Sequence, residues 1–132
     1  MNNFGLVVIG AHSGVWLSSL LDEHKDKNIL LVEPVPYNIN LLKENTTKYK
    51  NITIETSAVS EKNEIKKFYY VKHDAVKKLG KHWASGIGSF DKQHILNHKY
   101  KRFMVTDIDI EEIDVQYLTF SNLMEKYSVS SI

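Results

Sequence analysis

Apolar residues fall along the first sixty positions in three short runs, separated by two stretches with helical spacing. Residues 6–10 read Leu-Val-Val-Ile-Gly, residues 29–33 Ile-Leu-Leu-Val-Glu, and residues 52–56 Ile-Thr-Ile-Glu-Thr. The first two runs do not alternate apolar with polar, which predicts strands covered on both faces. Between them, Val15, Trp16, Leu17, Leu20 and Leu21 recur at three- and four-residue intervals. That spacing predicts a helix over 14–24, with Ser13 as its N-cap and Lys25, Lys27 and Asn28 at its close. Pro36 suits the first turn of a second helix over 36–47, with Ile39, Leu41 and Leu42 turned inward. Strand–helix–strand–helix–strand with short connections predicts an α/β fold, with a parallel sheet, right-handed crossovers and flanking helices.

After residue 60 the pattern changes. Residues 64–71 (Glu-Ile-Lys-Lys-Phe-Tyr-Tyr-Val) read as a strand on an exposed edge. Residues 72–101 are polar and irregular around Ala84-Ser85-Gly86-Ile87-Gly88-Ser89, and a stretch of that length is commonly functional or disordered. Residues 103–110 and 113–118 read as further strands of an antiparallel appendage. A short helix over 119–127 opens at Thr119 or Ser121. The 132 residues fit one domain, with 1–60 as a ligand-binding half and 61–132 as variable loop and edge strands.

Composition narrows the class. There is no cysteine, hence neither a disulfide framework nor a thiolate nucleophile. No basic, apolar leader opens the chain and no apolar run reaches the ~20 residues that span a bilayer, so a cytoplasmic protein without a membrane partner is expected. A net charge of +1 gives no global case for nucleic acid. The charge is uneven, however. Residues 65–102 hold ten Lys/Arg against Asp74 and Asp91, and Asp107, Asp109, Glu111, Glu112 and Asp114 follow. This reads either as a solvated basic loop beside an acidic edge strand or as a basic lid over an anionic acceptor.

The candidate chemistry lies at the ends of the apolar runs. Gly10, His12 and Gly14 stand at alternate positions in Gly-Ala-His-Ser-Gly. Gly10 lets the chain turn off the strand, and Gly14 lets backbone approach a ligand at a helix start. A dinucleotide fingerprint would place glycine where His12 and Val15 stand, so a nicotinamide cofactor is disfavoured. Glu33 follows Gly10 by 23 positions, near the ~20-residue spacing at which such an acid meets a ribose hydroxyl. Ser57 and Ala58 follow the third strand, where small residues can flank an adenine ring. His94 and His98 are four apart, but no third ligand has suitable spacing and no metal site is expected. Trp83 and the Phe68-Tyr69-Tyr70 run read as packing residues.

Val-Val-Ile-Gly-Ala-His-Ser-Gly, then Leu-Val-Glu-Pro-Val-Pro-Tyr-Asn, then Ser-Ala-Val-Ser, resemble in order the motifs of the FkbM family of S-adenosylmethionine-dependent methyltransferases. Ile87-Gly88-Ser89 and Val115-Gln116-Tyr117-Leu118-Thr119-Phe120 extend the likeness weakly. The resemblance implies a partial Rossmann-like class I methyltransferase sheet. It implies S-adenosyl-L-methionine as cofactor and O-methylation of a hydroxyl on a sugar or small metabolite. By it, Gly10, Ala11, His12 and Gly14 cradle the methionine part, Glu33 with Pro34 after it holds the ribose, and Ser57 with Ala58 flanks the adenine. Three departures stand out: Val8 where the family has aspartate, His12 where it has asparagine, and an end at Ser130-Ser131-Ile132 where a fourth strand is due. A sheet lacking that strand leaves the outer edge of the first strand unpaired, which implies a homo-oligomer or a partner chain, or else an inactive remnant.

Overall fold

The structure is a computed structural model that describes residues 2–79, 88–96 and 105–131. The chain divides into two compact units, residues 1–64 with 116–132, and residues 65–115.

The first unit is built on a parallel sheet in the order β3-β2-β1-β8. Strand β1 spans Asn2–Ile9, β2 Asn28–Val32, β3 Ile52–Glu55 and β8 Val129–Ser131. The predicted 6–10, 29–33 and 52–56 are thus present with shifted ends, and Gly10 and Glu33 lie one residue beyond their strands. Side chains of a strand alternate between faces. Ile29 and Leu31 join Ala11, Leu21 and Leu42 in one core, while Leu30 and Val32 join Phe4 and Leu123 in another. The apolar run of β2 does not alternate because both of its faces are covered. Leu30 and Leu31 are each 0% exposed, and full burial of such a side chain stabilises by about 1.5–3 kcal/mol. In β1 the register slips between Phe4 and Leu6. Gly5 sits at this slip, as glycine does at bulges.

The helices on the first face differ from the predicted ones. The segment 14–24 divides into a 3-10 turn, Val15–Leu17, and helix α1, Ser18–Glu23. Ser13 caps neither: the N-cap positions are Gly14 and Leu17, without side-chain capping bonds. Val15 and Trp16 are 64% and 86% exposed, so their apolar spacing belongs to no buried stripe. Helix α2 runs Pro36–Asn45 with Pro36 in its first turn, and it buries Asn38, Ile39 and Leu42, while Leu41 is only half-buried. Helix α5, Phe120–Lys126, covers the other face through Leu123. Its cap is Thr119, whose hydroxyl accepts from the Asn122 N–H at 3.1 Å.

Strand β8 corrects the expectation of an unpaired first strand, since it pairs with β1 at Asn2 and Asn3. Beyond those positions the outer edge of β1 has no strand partner among the described residues. Within this unit β4, Ala58–Val59, also pairs in parallel with the end of β7, Tyr117 and Leu118.

The second unit holds most of β5, Glu64–Val71, and of β7, Ile110–Leu118, with β5 between β7 and β6, Gly88–Ser89. β5 is therefore not an edge strand, and it buries Phe68, Tyr70 and Val71. The pairing of β5 with β6 is antiparallel. The irregular stretch contains helices α3, His73–Leu79, and α4, Lys92–Leu96. Val71, Ala75, Val76, Ile95, Val105 and Ile110 form its core. The strand expected over 103–110 is replaced, among the described residues, by a 3-10 turn at Asp107–Asp109, closed by a capping box between Thr106 and Asp109. The two expected strands reduce to β7. Acids and lysines of this unit meet one another, Lys67 with Asp114 at 3.0 Å and Lys92 with Asp107.

Candidate functional site

The carboxyl ends of β1, β2 and β3 meet around Glu33. In open parallel sheets this end receives ligands. The N–H groups of Gly10 and Ala11 both donate to the Val32 carbonyl, at 2.9 and 3.0 Å, folding the glycine loop back over β2. Gly10 and Gly14 adopt φ of 80° and 82°, and His12 between them adopts 53°. A histidine in this left-handed region is uncommon and carries strain, which points to a local constraint. That constraint is Glu33: the His12 N–H donates to its Oε1 at 2.9 Å. Its Oε2 accepts from the Val35 N–H at 3.0 Å, past Pro34, which has no N–H to offer.

The glycines have separate tasks. A Cβ on Gly14 would lie 2.7 Å from Leu42 Cδ1, so this glycine serves the approach of the loop to α2. A Cβ on Gly10 would meet only His12 Nε2, at 3.8 Å, so the space before Gly10 is open. The side chain of Ala11 packs into the core and presents only backbone. Asn45 Nδ2 holds the Ser13 carbonyl at 2.7 Å.

A second buried acid lies next to the first and was not read from the sequence. The Glu33 N–H donates to the Glu55 carbonyl at 2.9 Å. The Glu55 side chain is 4% exposed and accepts from four donors. Its Oε2 takes the Ser57 N–H at 3.2 Å and the Ser57 hydroxyl. Its Oε1 takes Lys126 Nζ at 2.7 Å and the Tyr127 hydroxyl. Burial opposes ionisation of Glu55, but the bonds from Lys126, Ser57 and Tyr127 outweigh it and hold the carboxyl below its usual range. Burial, then the Glu55 carboxylate, push the Tyr127 phenol well above its ordinary value. The signal available in the sequence was that the apolar positions of the third run, like those of the second, are followed at once by a glutamate.

The fold thus brings the loop of Gly10, Ala11, His12 and Gly14 to Glu33 and Pro34, and reaches Ser57 through Glu55, while Ala58 pairs with Tyr117 of β7. His94 is exposed on α4, while His98 and Trp83 lie outside the described residues. Among the described residues no group of three His, Asp or Glu could hold a metal ion, and no helix is long and apolar enough to cross a membrane. A hollow of about 420 Å³ lined by Asp22, Lys25, Asp26, Lys48, Tyr49, Lys50 and Asn51 sits at the opposite, amino end of β2 and β3. No protein-family model, no curated protein and no solved structure matches the chain.

The donor set can be tested against an adenosine-containing cofactor. A carboxylate offers about four lone-pair directions. Glu33 uses two on backbone N–H groups, which leaves capacity for a ribose diol. The open space at Gly10 suits a close approach. Access is the poorer side of the fit, because Glu33 is 2% exposed.

Proposed function

We propose that the first unit binds S-adenosyl-L-methionine in a Rossmann-like, FkbM-like methyltransferase, with a hydroxyl of a sugar or small metabolite as methyl acceptor. The observation that carries this reading is the bond from His12 in the glycine loop to Glu33. It joins the two cofactor motifs at the carboxyl ends of adjacent parallel strands. The sheet order β3-β2-β1-β8, with helices on both faces, supports it.

The bound cofactor supplies an electrophilic methyl group. The residues of this chain bind and orient. Glu33 would accept from the ribose hydroxyls while keeping the loop closed, Gly10, Ala11, His12 and Gly14 would cradle the methionine part, and Ser57 and Ala58 would border the adenine. Transfer to a hydroxyl needs in-line approach, and holding both reactants in place contributes much of the rate. No side chain at this end is assigned as a general base.

The test is calorimetric titration with S-adenosylhomocysteine. Glu33→Ala removes a bidentate acceptor, and affinity falls about tenfold or more. Unchanged affinity sinks the ribose assignment. A second reading, a pairing module completed by another chain, is favoured by the part of the β1 edge that β8 leaves uncovered. A co-purifying polypeptide or a concentration-dependent mass in sedimentation would support it, and a monomer at all concentrations would remove it.

A further inference from the structure

Glu55 has no place in the cofactor contacts proposed above, yet it is the most heavily hydrogen-bonded buried side chain of the first unit's ligand end. Its four donors come from two places. Ser57 lies at the turn between β3 and β4, and Lys126 and Tyr127 lie where α5 ends, just before β8. Tyr127 is itself fixed, since its ring meets Phe4 of β1 edge-on at 6.3 Å. Lys126 has half of its side chain in water, so the charge pairing reaches from solvent to a buried oxygen. Ser57 by contrast is buried and has both its N–H and its hydroxyl directed to one carboxylate oxygen. A hydrogen bond to a charged acceptor is stronger and more geometrically demanding than a neutral one. Glu55 thus holds the start of the turn, while the two-residue strand β4 after it pairs with β7.

We propose that Glu55 is a positioning residue for the cofactor pocket: anchored on the far side by Lys126 and Tyr127, its carboxylate fixes Ser57 and Ala58 where the adenine of the bound cofactor lies. The proposal rests on the cofactor reading above. It makes the C-terminal end of α5, through Lys126 and Tyr127, part of the binding apparatus.

The experiment is a double-mutant cycle on S-adenosylhomocysteine affinity in the 132-residue chain, with Glu55→Gln, Ser57→Ala and both together. Glu55→Gln keeps the shape and removes the charge. If it acts through Ser57, it weakens binding about tenfold, and adding Ser57→Ala costs little more, because residues in one network couple. A merely structural role lowers the melting temperature of Glu55→Gln and leaves the affinity of the folded fraction unchanged, which overturns the proposal. Additive losses also overturn it. Should Glu55→Gln not fold, Lys126→Met with Tyr127→Phe loosens Glu55 from the other side, and a weakened affinity is again required. A wild-type chain that does not bind S-adenosylhomocysteine overturns the cofactor reading itself and the positioning role with it. A wild type that binds, with variants that bind equally, overturns only the latter.

Discussion

Glu33 holds the backbone of His12 and Val35 before it can hold any ligand. Glu33→Ala therefore carries a stability cost as well as an affinity cost. One buried and one half-buried N–H lose their acceptor, and chemical denaturation should report roughly 1–3 kcal/mol less stability. Glu55 makes a different prediction, in acid. Its carboxyl gives up its proton more readily in the folded chain than at its ordinary value of 4.5, so the unfolded chain binds more protons in the window below. Stability from this site is complete above pH 4.5 and is lost as pH falls through the folded value. Denaturation midpoints across that range should fall more steeply for the wild type than for Lys126→Met, which removes one cause of the shift. Equal slopes would show that the pairing contributes nothing. The sequence made Glu33 visible because its spacing from Gly10 is a known one. Glu55 stayed hidden because its partners Lys126 and Tyr127 are 71 and 72 positions away.

At the scale of elements, the two left-handed glycines separate backbone conformation from packing. Gly10→Ala meets strain alone, and its cost is about 1–2 kcal/mol. Gly14→Ala meets strain and also the fully buried Leu42, which has no room to give. Its cost is roughly 2–4 kcal/mol. Urea melts of the two variants should differ in that order, and the reverse order would misassign the loop's contact with α2. These elements also mark where sequence patterns reach their limit. The unbroken run of β2 was legible because both of its faces are buried, one by α1 and α2 and the other by Phe4 and the distant Leu123. The edge reading of β5 failed because the adjacent Lys66 and Lys67, which point to opposite faces, say nothing about the strands paired along its edges. Apolar spacing at Val15 and Trp16 predicted burial that the 3-10 turn does not provide. In 103–110, the capping box of Thr106 and Asp109 favours a turn over the strand that alternation suggested.

At the scale of the whole chain, the first sixty residues carried most of the information, because β1 and β2 are each followed at short range by helical chain that packs back on the sheet. The return of residues 116–132 to the same unit, with α5 on the second face and β8 beside β1, depends on contacts far apart in sequence. Three residues of β8 offered no pattern of their own to read. The central claim is that this unit holds S-adenosyl-L-methionine at the glycine loop and Glu33. A thermal melt of the purified chain with and without S-adenosylhomocysteine tests it most directly. Ligand at 100 times its dissociation constant adds about 2.7 kcal/mol, so the account predicts a cooperative melt displaced upward. A cooperative melt that S-adenosylhomocysteine leaves in place would contradict it.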